Sequence, residues 1–426
     1  MDKEKIQITT KESPIISEVL DKVIKKIDNE QFSIQSDDQR SQLERQIFYQ
    51  TVKIHSKLRS CVYPGCTQRS IRRSHSIQKN SVLKIISEGN HVYQPQVDMT
   101  HENPKMQMIK IGINKASTFP GFCQDHERLF EKFEHKGSID KKEEALLQTF
   151  RAICREKVFR ENEKEILIRQ RNTYKKNLER LAKLYIIDEL LRNNLAVETS
   201  QISFSSLDDS FIQYLGIKID YLSKSLNELD EYISSYFRGT DNYVSYEMKI
   251  DYSFPVCIAG FGNQKYEFYG NERNFILFLN VIPYKDETVI ICYSLNDHKD
   301  IFKSVIKYYS QNILTILNFI ESFMVNSSDH WFVNPSFWDS LPGLKKDYIL
   351  QCLLHSKDSF IKEIPFSIFD DIRKIFIDSF IESRNGVELT DVERTFLENE
   401  KLKLTKKIKL QPLDEIIKGM NENFNL

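Results

Sequence analysis

The chain has 426 residues, enough for two or three domains with a large buried core. Its composition, 40% hydrophobic and 28% charged, is that of a globular protein and excludes a fibrous or wholly disordered chain. The formal net charge of −1 excludes the strongly basic overall balance that many nucleic-acid-binding proteins show.

Cysteine usage and hydropathy predict a cytoplasmic protein. The seven cysteines are an odd number, and four of them lie in apolar helix or strand patterns: Cys154, Cys257, Cys292 and Cys352. Reduced thiols are therefore expected, not a disulfide framework. Residues 1–14 contain no apolar run of signal-peptide type, and no window approaches the roughly 18 apolar residues of a membrane span. We expect no membrane partner.

Residues 1–54 are predicted to form N-terminal helices. Residues 17–29 carry an amphipathic pattern with apolar residues at helical spacing, and residues 30–38 are typical of a linker. A second helix is predicted over about residues 38–58, and it leads the chain to Cys61.

Four residues between 55 and 136 have the side chains and the spacing of a zinc site. Cys61 and Cys66 form a C-x4-C pair around Pro64-Gly65, which favours a tight turn. Cys123 and His126 form a C-x2-H pair at the start of an amphipathic helical pattern. Zn²⁺ prefers four nitrogen or sulfur ligands in a tetrahedron, supplied in closely spaced pairs. The order of knuckle, hairpin and helix predicts a treble-clef zinc module, although two buried cysteines with two unrelated residues would give the same spacing by chance.

The zinc segment also carries a basic window. Between Arg45 and Ser87 there are nine basic residues and no aspartate or glutamate. The nine are Arg45, Lys53, Lys57, Arg59, Arg69, Arg72, Arg73, Lys79 and Lys84. Such a series of basic residues usually forms a solvent-exposed basic face. Beside a zinc finger it favours contacts to phosphate, with Arg69, Arg72, Arg73 and Lys79 as the candidate residues.

The sequence between the ligand pairs resembles a known superfamily. The arrangement C-x4-C, then Ser74-His75-Ser76-Ile77, then C-x2-H is similar to HNH-type nucleases with treble-clef (ββα-metal) folds, and more narrowly to uncharacterised bacterial proteins built on such a finger. The likeness covers about a fifth of the chain. It implies that His75 is the general base of a Mg²⁺- or Mn²⁺-dependent cleavage of nucleic acid, DNA more than RNA. A structural histidine inside the finger is the alternative for His75.

The chain departs from the HNH pattern where the catalytic metal is held. Ser74 stands where these nucleases usually have a His or Asp. Asn114 and Ser117 are the candidates for a residue shortly before the second zinc pair, and Glu127 or His135 for the last metal ligand on the helix. The spacing of Asn114 and Ser117 does not single out either of them. The sequence therefore does not identify the ligands of the catalytic metal, which would be a second metal in addition to the zinc.

Within the zinc segment, Val82-Leu83 and Ile85-Ile86 predict a short helix that ends at Gly89. Two strands are predicted over residues 91–97 and 106–113, either as the hairpin of the finger or as an insertion into it. Residues 137–240 are predicted as a helical connector, with one long helix or two over residues 139–195 and a helix pair over residues 206–238.

Residues 241–426 are predicted as an α+β domain of unknown role. Three runs rich in β-branched and aromatic residues predict antiparallel strands, with a hairpin turn at residues 284–287. A helix capped by Asn296-Asp297 is predicted over residues 298–325, and further helices over 344–356 and 365–384. Asp329-His330-Trp331 is interpreted as an aromatic corner, with a small site as the alternative. This domain is where a protein partner is expected to bind.

Together these patterns predict an α+β protein with an N-terminal treble-clef zinc module, a long helical connector and a C-terminal antiparallel sheet with helices. The predicted function is that of a zinc-containing nucleic-acid-binding protein, and the question whether it also cuts its target as an HNH-type endonuclease stays open. The alternative is a non-catalytic binding or scaffold protein with a purely structural zinc.

Overall fold

A computed structural model describes residues 6–8, 14–28, 54–55, 57–98, 105–204, 210–268, 271–355 and 360–408. The predicted linker 30–38, most of the helix predicted over 38–58, and the basic residues Arg45 and Lys53 lie outside these ranges. The chain divides into two compact units. The helical unit comprises Met1–Lys57 and Lys157–Leu229, and the sheet unit comprises Leu58–Glu156 and Asp230–Leu426.

The helical unit has a small apolar core made by helices and a two-stranded sheet. Strands β1 (Ile6–Ile8) and β6 (Ile202–Phe204) pair antiparallel. The amphipathic helix Pro14–Asp28 buries the apolar stripe predicted for residues 17–29. The stripe packs on the later turns of the long helix and on the start of helix Ser210–Arg238 through a set of aliphatic residues: Val19, Val23, Ile27, Leu178, Ala182, Ile186, Leu190 and Ile212.

The structure answers one open question about the helices and corrects one prediction. The region predicted as one helix or two over residues 139–195 contains one helix of 51 residues, Lys142–Arg192, here called the long helix. The helix pair predicted over residues 206–238 is wrong, since the structure describes the single helix Ser210–Arg238 there. No proline and no positive-φ residue interrupts either helix, so nothing in the chain forces a break. Among the described residues, no helix combines the length and the apolar character needed to cross a membrane.

The sheet unit is built on one seven-stranded antiparallel sheet with the strand order β4-β3-β11-β8-β9-β10-β7. The strands in chain order are β3 (His91–Asp98), β4 (Lys105–Gly112), β7 (Tyr243–Ile250), β8 (Val256–Phe268), β9 (Asn271–Pro283), β10 (Thr288–Leu295) and β11 (Trp331–Val333). The predicted turn at residues 284–287 is confirmed, because the N–H of Tyr284 donates to the carbonyl of Glu287 at 2.7 Å. The predicted α+β class with an antiparallel C-terminal sheet is thus confirmed.

Side chains that alternate along the strands separate the two faces of this sheet. On one face, Phe275, Leu277, Leu279 and Val281 join the main apolar core. Helices Lys299–Tyr309, Ile313–Asn326, Gly343–His355, Asp370–Glu382 and Asp391–Thr405 contribute to the same core. On the other face, Phe278 contacts Tyr232, and Asn280 bonds to the first turns of the long helix.

Two predictions about helices of the C-terminal segment need correction. The single helix predicted over 298–325 is two helices, because Asn312 interrupts it and begins the second. Its side chain accepts the N–H groups of Leu314 and Thr315, and Thr315 bonds back, which completes a capping box. The predicted cap by Asn296-Asp297 is also wrong, since these residues form a 3₁₀ turn and no side chain caps helix Lys299–Tyr309.

Strands β3 and β4 are an insertion into the finger and not its hairpin. The hairpin of the finger is the short pair β2 (Ser74–His75) and β5 (Thr118–Phe119). The chain leaves it after β2 and adds β3 and β4 to the large sheet next to β11, before it returns to β5. Segments 55–136 and 241–426, predicted as separate domains, therefore contribute strands to one sheet.

Candidate metal centre

The first ligand pair lies in a tight knuckle that backbone hydrogen bonds hold. The N–H of Cys61 donates to the carbonyl of Gln68 at 2.8 Å, and the N–H of Cys66 donates to that of Tyr63 at 3.1 Å. Gly65 has a φ of +77°, the left-handed conformation that glycine adopts without strain. The Pro64-Gly65 turn predicted from the sequence is the element that brings the two sulfurs to the same side of the knuckle.

The second pair lies at the start of the helix that follows β5. Cys123 is the N-cap of Gln124–Glu127, and its carbonyl accepts the N–H of Glu127 at 2.9 Å. The helix continues through Arg128–Phe130 and Glu131–Lys136. Cys123 and His126 lie on one helix face, as their spacing of three predicts. Phe130 and Phe133 are buried below them and fix the helix on the module.

The four ligand atoms form a group with the dimensions of a tetrahedral zinc site. All lie within 4.8 Å of one another. The Nδ1 atom of His126 is 3.5 Å from the sulfur of Cys61 and 3.2 Å from that of Cys123, and the sulfurs of Cys66 and Cys123 are 3.9 Å apart. Tetrahedral zinc separates its ligands by roughly 3.8 Å between sulfurs and roughly 3.5 Å between sulfur and nitrogen. A zinc ion therefore fits Cys61, Cys66, Cys123 and His126, the set predicted from the sequence.

The surroundings of the cluster act on its thiols in opposite directions. Burial raises the pKa of the Cys61 thiol to about 12. Burial also acts to raise the pKa of Cys123, but backbone N–H groups of His126 and Asp125 and the neighbouring thiols outweigh it and lower that pKa. The N–H of Cys123 donates to the sulfur of Cys61 at 3.3 Å. Backbone donors directed at sulfur stabilise the thiolate form that binds a metal.

An aromatic cluster holds the histidine ligand in place. The ring of Tyr63 stacks on His126 with centroids 3.9 Å apart and an angle of 11° between the planes. Tyr63 in turn meets the edges or faces of Phe150 and Phe237. On the outside, the side-chain amide of Gln68 donates to Asp125 at 3.0 Å and ties the knuckle to the helix. Such neighbours orient metal ligands and are part of what sets affinity.

His75 lies on β2, between the two ligand pairs along the chain, and is not part of the Cys₃His cluster. Its Nδ1 atom is 3.3 Å from the hydroxyl of Ser117. Burial lowers the pKa of His75 to about 4, and the nearby charges of Arg151, Lys79 and Arg73 act in the same direction. His75 is therefore a neutral imidazole at physiological pH.

The residues considered as ligands of a second metal have other partners. Ser74 is fully buried, and its hydroxyl accepts the N–H of Phe122 at 3.1 Å. Glu127 pairs with Arg151 at 2.8 Å, and the imidazole of His135 bonds to the carbonyl of Glu131. Asn114 is exposed. In the described part of the chain, one group of three or more His, Cys, Asp or Glu side chains could hold a metal, and it consists of Cys61, Cys66, Cys123 and His126.

Three of the candidate phosphate-binding residues lie between the knuckle and the short helical stretch over residues 79–86, and the fourth, Lys79, begins that stretch. Arg69, Arg72 and Arg73 are exposed, and Lys79 is half-buried. No carboxylate in the described part of the chain forms an ion pair with any of the four. Their assignment to nucleic acid stays a prediction, but their charges are available to an external anion.

Several polar contacts that no local sequence pattern indicates join the finger to the sheet. The hydroxyl of Ser76 lies 2.6 Å from Nε2 of the fully buried His330, and the backbone carbonyl of Ser76 accepts the amide of Gln148 at 2.9 Å. Gln148 also bonds to Asn280 at 3.3 Å. Burial lowers the pKa of His330 far below its usual range. His330 thus joins the finger to the sheet, which favours the interpretation of residues 329–331 as a packing corner over a small site.

Arg151 is a second residue that pattern reading missed. It lies on the long helix, is 1% exposed, and donates to Glu127 at 2.8 Å and to Glu134 at 2.6 Å. Its guanidinium group also lies 4.2 Å from the ring centre of Phe130. In the sequence, the signal that could have revealed its burial is its position in an apolar stripe with Leu147, Phe150 and Ile153. Arg151 therefore holds the helical segment of residues 124–136 against the long helix.

Comparison of the chain with protein-family models, with curated proteins and with solved structures gives no match in any of the three searches, so the interpretation of this site rests on its own geometry.

Proposed function

We propose that this protein is a zinc-stabilised nucleic-acid-binding protein. Cys61, Cys66, Cys123 and His126 hold a structural zinc, and the segment between the two ligand pairs contacts the phosphate backbone. The observation that carries the proposal is the placement of three exposed arginines, Arg69, Arg72 and Arg73, between the two ligand pairs of a cluster with the dimensions of a zinc site. None of the three forms an ion pair with a carboxylate that the structure describes.

The chemistry of these residues suits phosphate. A guanidinium group donates two parallel hydrogen bonds to phosphate oxygens, which gives position as well as attraction. The overall charge of −1 supplies no attraction, so binding depends on this local field and falls as salt screens it. Duplex DNA, with its dense row of phosphates, is the first target to test, and RNA is the second.

Replacing Arg72 and Arg73 together by alanine is expected to weaken binding of a duplex DNA oligonucleotide by about tenfold and to reduce the slope of log affinity against log salt by about two. Loss of two phosphate contacts releases two fewer counterions, which is why the slope changes. Fluorescence anisotropy between roughly 50 and 200 mM salt measures both quantities.

The matched control is Lys401→Ala, which removes an exposed positive charge of the same unit far along the chain from the finger. It should leave affinity and slope unchanged. If the zinc-loaded wild type binds neither DNA nor RNA at low salt, or if Lys401→Ala weakens binding as much as the double variant, the nucleic-acid proposal is wrong. A binding or scaffold protein with a purely structural zinc would then remain.

A second candidate function is cleavage of the bound nucleic acid in the HNH manner, with His75 as general base. One observation favours it: His75 lies close to Lys79 and Arg73, and their charges would attract a phosphodiester. Against it stand the hydrogen-bonded Ser74 and the Glu127–Arg151 pair, which occupy side chains that a catalytic Mg²⁺ would need.

Under this second candidate, wild-type protein should nick plasmid DNA or cut RNA with Mg²⁺ or Mn²⁺, and His75→Ala should be inactive. Because the pKa of His75 is lowered to about 4, protonation of this base would not limit the rate at neutral pH. Gel electrophoresis after incubation with each metal measures the activity. Absence of cleavage by folded, zinc-loaded wild type on both substrates removes the endonuclease.

A further inference from the structure

Strand β7 leaves one edge of the seven-stranded sheet open. It is the last strand in the sheet order and pairs with β10 over its whole length, from Tyr243 opposite Leu295 to Ile250 opposite Thr288. Across residues 243–249, no backbone hydrogen bond joins its other side to a described residue. In an antiparallel sheet, alternate residues of such a strand direct their N–H and C=O groups outward. These groups form a template for a further strand.

A groove lies beside this open edge, on the face of the sheet that the helices cover. Val244 and Tyr246 of β7 form one wall, and Phe302 and Ile306 of helix Lys299–Tyr309 form the other. Its volume is about 360 Å³. Residues 244–248 of the strand are half-exposed. The groove is large enough for two aliphatic side chains, and apolar walls of this kind gain free energy when such side chains displace water.

The lip of the groove is positively charged. Lys303 and Lys307 line it one helical turn apart, and no carboxylate lines it. Both lysines are exposed, and neither forms an ion pair with a residue that the structure describes. Lys299 is one turn earlier on the same helix but does not line the groove. Apolar walls with a cationic lip beside an open strand edge define a surface with three separate requirements for its ligand.

We propose that β7 and this groove bind an extended acidic segment of a partner protein, which adds to the sheet as an eighth strand. Backbone bonds to β7 hold the segment, its aliphatic side chains fill the groove, and its carboxylates meet Lys303 and Lys307. This is recognition by strand addition, in which the backbone gives affinity and alternate side chains give specificity. The predicted partner site of the C-terminal domain thereby becomes a defined surface, independent of the nucleic-acid proposal.

The charge pattern selects this occupant over two others. A second copy of the chain, paired β7 to β7, would bring the Lys303 and Lys307 side chains of both copies along one seam, where they repel. Nucleic acid would pair its phosphates with the lysines but would leave the apolar walls of the groove exposed to water. An acidic strand with aliphatic side chains satisfies the backbone edge, the walls and the lip together.

The test uses the full-length zinc-bound protein and a fluorescent eight-residue peptide, Thr-Ile-Thr-Glu-Thr-Ile-Thr-Glu. In a strand conformation its isoleucines and glutamates share the side that faces the groove. A second peptide has lysine in place of glutamate. Two further peptides are N-methylated, one on the threonines and the other on the isoleucines and glutamates. Fluorescence anisotropy without nucleic acid gives the dissociation constants.

The acidic peptide should bind at micromolar to sub-millimolar concentration, and the lysine peptide should bind at least about tenfold more weakly. One N-methylated peptide should lose binding while the other keeps it, because in an added strand only alternate N–H groups face β7. Lys303→Glu with Lys307→Glu should weaken the acidic peptide by about tenfold, and the matched variant Lys299→Glu by less than about twofold.

Four outcomes would overturn the proposal. The acidic peptide fails to bind up to a millimolar concentration, or both N-methylated peptides bind as well as their parent. The third outcome is that the protein dimerises through β7 and excludes the peptide. The fourth is that a DNA oligonucleotide displaces the peptide from wild-type protein but not from the variant with both lysines replaced. Circular dichroism of the variants checks their folding, and the N-methylated peptides test the strand addition on unaltered protein.

Discussion

Replacing Cys123 by serine is expected to abolish zinc binding and to lower the melting temperature by roughly 10 °C, since loss of a structural zinc costs on the order of several kcal/mol. Cys123 is the ligand whose sulfur is close to both the His126 nitrogen and the Cys66 sulfur, so its loss opens the tetrahedron on two sides. Wild type should contain one zinc per chain by elemental analysis, and a strong chelator should reproduce the melting temperature of the variant.

Cys352→Ser provides the matched control. This cysteine is half-buried and lies outside the cluster, so the substitution should leave the zinc content at one per chain. Cys66→Ser should behave like Cys123→Ser. Two results would show that the cluster is not a metal centre. One is wild-type protein that carries no zinc after purification without chelators, and the other is a Cys123→Ser variant with full zinc content.

The second large effect is expected at Arg373, which the structure places in the core of the sheet unit. The guanidinium group is completely buried and pairs with the equally buried Glu321 and with Glu400. It also donates to the side chain of Asn318 at 2.9 Å. Glu321 in turn accepts N–H groups of Ile368 and Phe369, so the network fixes the turn that starts helix Asp370–Glu382.

Arg373→Met should lower the free energy of unfolding by about 3–5 kcal/mol, because Glu321 is left buried without its cation and Glu400 keeps only its ion pair with Lys403. Urea unfolding followed by circular dichroism measures the change. Lys374→Met, the neighbouring exposed position on the same helix, is the control and should change stability by less than about 0.5 kcal/mol. Adding Glu321→Gln and Glu400→Gln to Arg373→Met should recover part of the loss. Equal stability of Arg373→Met and wild type would contradict this role.

The four residues of the Cys₃His cluster and the class of fold were accessible from the sequence because their signals are local. Cys61 and Cys66 bracket a Pro-Gly turn, and Cys123 and His126 sit one helical turn apart, so each pair is set by a few consecutive residues. Periodicity likewise predicted the strands and the two long helical regions. Such features depend on backbone preferences that a short window of sequence contains.

Tertiary structure alone decided the rest, since it depends on contacts between residues far apart in the chain. No local pattern states that β3 and β4 pair next to β11, more than two hundred residues away, or that Ser76 meets His330. Arg151 and Arg373 look like surface residues until their carboxylate partners come from other segments. The chain itself determined what each segment can form. Packing determined which strand edge stays open and which charges are buried.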